Sequence, residues 1–391
     1  MSEVFLVFLR LGLTSFGGPV AHLGYFREEI VTRRRWLDEE AYADLVALCQ
    51  FLPGPASSQV GLGIGLARAG LRGALAAWIG FTLPSALLLL LFAYGVESVG
   101  DVAGSGWLRG LKLVAVAIVA NAVHGMARTL CPDRLRATFA VAATVLVLAV
   151  PGPLGQIGAI ALGGLAGRIL LDGEPAVRGR GVRIDVPRHL ANALLVAFLV
   201  LLAGLPLLAW LTASHAVAMI DSFYRSGALV FGGGHVILPL LEAEVVEPGC
   251  VDRADFLAGY GAAQAIPGPL FTLSAYLGAI MIPEPDGLAG AALCLLAIFL
   301  PSALLVIGVV PRWASLRGRS DVRSMLKGVN AAVVGLLLAA LYDPVWTSAV
   351  ETPADFALAL AAFLLLVGWR VPPWLVVILA ALAGALLLGS R

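Results

Sequence analysis

The chain has 391 residues, 60% of them apolar and only 13% charged, with a net charge of +1. A soluble domain carries about a quarter charged residues, so this chain cannot wet its outer surface, and most of that surface must face lipid. The balance of charge gives no ground for a nucleic-acid partner, and the four scattered cysteines (Cys49, Cys131, Cys250, Cys294) form neither a disulfide framework nor a zinc site.

In chain order, the first apolar segment, 3–30, is interrupted by Gly17-Gly18-Pro19. Its opening run Val4–Leu9 is short, is cut by Arg10 and has no basic region before it, so residues 1–20 are expected to stay in the mature chain. A second segment, 40–68, is interrupted by Pro53-Gly54-Pro55. Continuous apolar stretches follow at 73–96, 107–127, 137–150 and 153–171, most of them near the roughly 20 residues a helix needs to cross a bilayer. A polar linker, Asp172–His189, leads to one further stretch at 190–211. Two more broken segments come next: 216–241, interrupted by Gly232-Gly233-Gly234, and 255–282, interrupted by Pro267-Gly268-Pro269. Stretches at 288–310, 324–342, 354–369 and 372–389 complete the chain, with Pro84 and Pro301 in mid-span. The pattern predicts an all-α polytopic membrane protein.

The pattern also repeats. Arg10, Gly12, Phe16, Gly17 and Gly18 return as Arg225, Gly227, Phe231, Gly232 and Gly233, an offset of 215 residues. Gln50-x-x-Pro53-Gly54-Pro55 returns as Gln264-x-x-Pro267-Gly268-Pro269 after 214, and Leu83–Leu88 returns as Leu300–Leu305 after 217. Three motifs in one order at nearly one offset predict a duplication: a first repeat over 1–171, a linker with a connecting helix over 172–213, and a second repeat over 214–391. An odd number of crossings separates equivalent points, whether the broken segments cross or re-enter, so the second repeat is inverted. With re-entrant hairpins, the basic clusters at 27–35, 68–72, 128–136, 178–188 and 312–323 share one side, and the opposite loops hold only Arg253. The positive-inside rule favours that arrangement.

Inverted repeats with broken helices place a substrate near the midplane. Each break creates a helix N-terminus whose free N–H groups favour an anion. Pro55 and Pro269 are expected at the first helical positions, with Ser57, Ser58, Thr272 and Ser274 following them. The predicted anion site therefore comprises Gly17, Gly18, Gln50, Pro53, Gly54, Pro55, Ser57 and Ser58 from one half. The other half contributes Gly232, Gly233, Gln264, Pro267, Gly268, Pro269, Thr272 and Ser274. Arg10 and Arg225, two turns before the glycine breaks, either attract the anion or snorkel to the interface. Asp38, Glu39, Asp44, Asp252 and Asp255 read as helix caps, with Asp44 the best placed for proton coupling. His22, His124 and His235 read as hydrogen-bonded packing residues. No HExxH, GxSxG or Walker loop occurs, so neither an enzyme nor a cofactor or metal is expected.

The blocks Phe16-Gly17-Gly18-Pro19, Trp36–Glu40 and Gln50–Pro55, with Phe231–His235 and Gln264–Pro269, resemble the two-domain, long-chain chromate ion transporter family. The resemblance covers both halves and departs where Cys250-Val251 replaces Trp36-Leu37. It implies a secondary transporter in the bacterial inner membrane that exports chromate on the proton-motive force and so confers chromate resistance. The residues leave open a carrier taking up or exchanging sulfate or another tetrahedral oxyanion, and an anion channel. The partners are then the oxyanion and the bilayer, with a homodimer left open.

Overall fold

The computed structural model describes residues 1–16, 18–98, 106–172, 184, 186–231, 234–316 and 319–387. The break glycines Gly17, Gly232 and Gly233 lie outside the described residues, as do Arg178, Arg180, Arg183 and Arg317 of the basic clusters. Every regular element described is helical, as it must be where lipid leaves no water for a free backbone group.

Helix α1 (Ser2–Thr14) ends at Ser15, where the backbone turns extended, and α2 (Gly18–Phe26) runs into a π-helical turn, Arg27–Arg33. Asp38 starts α3 (Glu39–Phe51) by accepting the Ala41 N–H at 2.7 Å. Pro53 ends it, because proline offers no N–H and forces the residue before it out of helical geometry. Helix α4 (Ala56–Ser98) is not straight. Its backbone leaves helical geometry at Ala69 and Gly70, and the carbonyls of Gly65 and Gly73 sit where the other's Cβ would lie. The chain thus doubles back there, and the first leg, 56–68, covers only about 20 Å at 1.5 Å per residue.

Next come α5 (Gly106–Leu130), α6 (Arg134–Ala149), α7 (Pro153–Leu170) and α8 (Arg188–Thr212). Arg136 pairs with Asp133, the cap residue of α6, at 2.6 Å. The sequence Pro151-Gly152-Pro153 forms a tight turn between α6 and α7, with Gly152 at φ +85°.

Helix α9 (His215–Leu229) stops at Val230, and α10 (Ile237–Leu241) runs into a π-helical turn, Glu242–Val246. Asp252 caps α11 (Arg253–Ala265), which like α3 has 13 residues and ends two residues before a proline. A 3-10 turn, Leu270–Thr272, leads into α12 (Leu273–Ile280), whose Gly278 meets Gly290 of α13 (Gly287–Val309) as Gly65 meets Gly73. The chain closes with α14 (Trp313–Leu316), α15 (Ser320–Ala340), α16 (Thr347–Ala349), α17 (Pro353–Val367) and α18 (Pro373–Leu387).

Among the described residues five helical stretches are long and apolar enough to cross a membrane, and the shorter apolar helices include α7, α17 and α18. Leu199, Val200, Leu207 and Trp210 leave α8 largely exposed, the signature of a helix facing lipid. Inside, α1 lies against the second leg of α4, with Gly12 against Gly80 and Phe81, and α9 lies against α13, with Gly227 against Ile298. The two halves of the sequence interlock. Helix α5 packs on α17 and α18, and α15 packs on α6 and α7, at glycine contacts such as Gly110 on Ala380 and Gly163 on Gly328.

Candidate functional site

The two Pro-Gly-Pro loops meet the ends of helices from the opposite half. Gly54 donates its N–H to the Val230 carbonyl at the end of α9 (2.6 Å), and Gly268 donates its N–H to the Ser15 carbonyl at the end of α1 (3.0 Å). These are reciprocal bonds, each joining a loop to the helix that precedes the other half's glycine break. Gly54 has φ +125° and Gly268 φ +107°, conformations a Cβ tolerates poorly. A Cβ on Gly54 would also strike Ser302 Oγ, and one on Gly268 would lie 2.7 Å from Ser85 Oγ. Ser85 and Ser302 occupy the same place in the repeated Leu-Pro-Ser-Ala-Leu-Leu motif, so each loop is seated on the other half's motif serine.

Buried polar atoms collect around these crossings. Gln59 donates to the Pro53 carbonyl at 2.6 Å, which fixes its amide orientation and leaves its buried Oε1 without a partner. Ser15 Oγ, Ser58 Oγ, Thr82 Oγ1 and Gln264 Nε2 are likewise buried and unpartnered. His22 is 1% exposed, its Nδ1 lies 3.3 Å from Ser57 Oγ, and its Nε2 has no partner. Most buried polar atoms in proteins are hydrogen-bonded, so this concentration makes the crossings the candidate site.

The expected donors divide. Gly54, Pro55, Ser57, Ser58 and Pro269 are buried at the crossings, and Pro53, Gln264, Pro267 and Gly268 adjoin them. Thr272 and Ser274 are buried too, but their hydroxyls donate to the Pro269 and Phe271 carbonyls, so their protons are engaged. Gln50 is exposed on α3. Gly18 takes φ +78° with open space beside it. Pro55 and Pro269 sit one residue before the helical turns they were expected to open, as caps rather than first residues, because their extended backbone completes the loop. Arg10 is exposed on α1. Arg225 is bound by Asp221 at 2.7 Å and Glu244 at 3.1 Å. Asp44 accepts a hydrogen bond from Trp313 at 3.0 Å. Sequence reading takes His22 as a packing residue and Gln59 as a polar group following the break, and it passes over Ser15, Thr82, Ser85 and Ser302. Their signal was available as polar side chains in apolar runs beside a break or inside a repeated motif.

Two other places attract attention. A groove of about 510 Å³ between α4 and α13 is lined by Leu71, Leu75, Trp78, Leu296, Phe299 and Leu300. It offers a dianion one indole N–H, and its exposed leucines suit lipid. A smaller polar cavity of about 100 Å³ is lined by Glu242, Glu247, Asp343, Arg253 and Gln156. Burial pushes the Glu242 carboxyl up to about 7 against the pull of Arg253, and burial raises Glu244 as well.

Comparison with known proteins bears directly on the crossing. The family model for the chromate transporter matches twice, over residues 2–168 and 217–385, and so takes in both loops. The chain belongs to the chromate transporter family. It is 28% identical to a chromate transport protein of Pseudomonas aeruginosa, covering 100% of this chain and 93% of that protein. It is 26% identical to a chromate transport protein of Cupriavidus metallidurans, covering 98% and 92%. An uncharacterized transporter of the archaeon Methanocaldococcus jannaschii matches at 26%, covering 86% and 82%. No solved structure matches. As a member of this transporter family the chain is a multi-pass membrane protein and not an enzyme.

Proposed function

We propose that this chain is a secondary carrier that moves chromate out of the cytoplasm, holding it between the two Pro-Gly-Pro crossings. The observation that carries the reading is the reciprocal pair Gly54–Val230 and Gly268–Ser15, surrounded by unpartnered buried hydroxyl and amide groups. The N–H groups opening α4 have no acceptor within the helix and add donors beside Ser57 and Ser58. Donors of this neutral kind suit a tetrahedral dianion and discriminate only modestly between chromate and sulfate, so sulfate is the expected competitor.

In this reading the halves are inverted repeats. Support comes from the two family matches, the paired 13-residue helices α3 and α11, their aspartate caps, and the π-helical turns that follow α2 and α10. The hairpins formed by α3 with the first leg of α4, and by α11 with α12, are re-entrant. Their legs are too short to cross, and each turns back on a glycine contact. Direction follows from charge. An inside-negative potential favours outward movement of a dianion by about 4.6 kcal/mol per 100 mV, twice the value for one charge, so the electrical part of the proton-motive force suffices to drive export.

The test uses inverted vesicles containing the full chain and labelled chromate. Saturable accumulation that follows an imposed interior-positive potential is expected, with sulfate competing. Flux that never runs uphill and never saturates points to a channel and ends the carrier reading, as does the absence of any protein-dependent flux.

A further inference from the structure

His22 lies at the crossings, and a packing role leaves its geometry unexplained. Its ring stands edge-on to Phe81, with centroids 5.3 Å apart and planes at 89°. It also approaches the Ser15 carbonyl, the same group that accepts the Gly268 N–H. Nδ1 is occupied by Ser57, while Nε2 is buried with no partner. A histidine that only filled space would leave both nitrogens satisfied or reach water. This one leaves Nε2 unspent in the region where the Ser15 and Ser58 hydroxyls are also without partners.

We propose that His22 is a proton-linked ligand of the oxyanion, with Nδ1 held by Ser57 and Nε2–H given to the bound anion. The inference rests on the carrier reading above and adds the group through which protons enter it. A neutral imidazole carries one N–H, and an imidazolium carries two. A dianion in a low-dielectric site strongly favours the cationic ring. If the anion raises the proton affinity of His22, the proton raises the affinity for the anion by the same factor.

Most other charges near the site are already engaged, and the rest are exposed. On α1, Glu3 pairs with Arg34 and Arg68, and Arg10 is exposed. In the turn after α2, Arg27 pairs with Glu39, and Glu29 with Arg33 and Arg34. On α3, Asp44 accepts from Trp313, Tyr42 donates to the Leu23 carbonyl, and Cys49 is buried. A buried phenol or thiol stays neutral across the range where histidine titrates. Arg68 and Arg72 on α4 are exposed beside the reversal at Gly70, and the Ile266–Pro269 loop carries no titratable group.

The experiment measures binding of labelled sulfate to the full purified chain between about pH 6 and 8.5. Sulfate takes up no proton in that range, so any slope belongs to the protein, which chromate would not guarantee. Wild-type affinity is expected to fall by roughly tenfold or more as the pH rises, and His22→Gln, which keeps an N–H but cannot titrate, is expected to bind without that slope. A wild-type protein that binds sulfate equally at every pH overturns the proposal, as does a His22→Gln variant that keeps the wild-type slope. Should His22→Gln fail to fold, proton uptake on adding sulfate to the weakly buffered wild type decides. About one proton per sulfate is expected above neutrality, and none overturns the proposal. Binding without pH dependence removes only the role of His22, whereas no binding of sulfate or chromate at any pH removes the carrier reading with it.

Discussion

Replacing Gly54 by alanine tests the crossing most directly. The residue sits at φ +125° and donates to Val230 at 2.6 Å. An L-residue there pays roughly 1–2 kcal/mol in backbone strain, and its Cβ would collide with Ser302 Oγ and Gln59 Nε2. Shifting the loop to relieve the clash loses the bond to Val230, a net of about 1 kcal/mol. The sum, about 2–3 kcal/mol, corresponds to a 30- to 150-fold loss of the closed crossing. Chromate flux into inverted vesicles should fall by about that factor, and the thermal unfolding temperature of the detergent-solubilised chain should fall as well. Adding Ser302→Gly should recover part of the flux by removing one of the two colliding groups. Wild-type flux and melting in Gly54→Ala would refute the reasoning, and a Ser302→Gly change that recovers nothing would show that the clash is not the cause.

Asp355 is fully buried and bonded to Arg109 at 2.6 Å, and it completes the capping box of α17 with Thr352. Asp355→Ala should therefore destabilise by about 3–5 kcal/mol, read as a loss of unfolding temperature with unchanged competition between sulfate and chromate in the protein that remains folded. Glu242, pushed up to about 7 by burial, holds a proton in the folded state that the unfolded chain releases near 4.5. Stability should thus rise as the pH falls from 7 towards 4.5 and be lost again as the pH climbs through 7, by about 3 kcal/mol at most. Thermal melts should show the slope in the wild type and its reduction in Glu242→Gln. For topology, cysteines placed at Arg35 and Arg72 should label from the cytoplasmic side, and those at Glu247 and Glu284 from the other, in a chain whose own cysteines have been replaced. Labelling of positions 35 and 72 from opposite sides would exclude the re-entrant hairpin.

Local signals were the readable ones. Asp38 and Asp252 cap their helices by reaching two or three residues ahead, and Pro53 and Pro267 end theirs because proline cannot continue a helix. The reversal at Gly70 was visible as the polar interval from Arg68 to Arg72 between two apolar runs. The continuous apolar stretches fall on helices, and among the described residues five helical stretches are long and apolar enough to cross a membrane. What the chain order could not display is which break meets which helix end. Gly54 and Val230 share no periodicity, and only the fold brings them together. The same holds for Arg225. Its bond to Asp221, one turn away, follows the (i, i+4) rule, whereas Glu244 reaches it from another element. Ser15 and Thr82 gained meaning only once their neighbours were known, since a lone hydroxyl in an apolar run is as readily a satisfied packing residue.

The reciprocal crossings also bear on how a carrier of this kind avoids leaking. Each loop is tied to the opposite half by one backbone bond, Gly54 to Val230 or Gly268 to Ser15. A bond of this type is worth about 1 kcal/mol net, so in the proposed mechanism one crossing opens at a cost of roughly five- to tenfold in population. That is within reach of motions on the microsecond-to-millisecond scale. Opening both at once multiplies the two penalties and makes the leaky state rarer by the square. The side chains break the symmetry that the backbone keeps. The first half offers the free hydroxyls of Ser15, Ser58 and Thr82 and the second the free amide nitrogen of Gln264, while Thr272 and Ser274 spend their hydroxyl protons on their own turn. The anion would therefore stay with the first half when the Gly268 crossing yields, and lose its closest backbone wall when the Gly54 crossing yields. Two gates of equal backbone strength but unequal grip give the cycle a preferred order of opening.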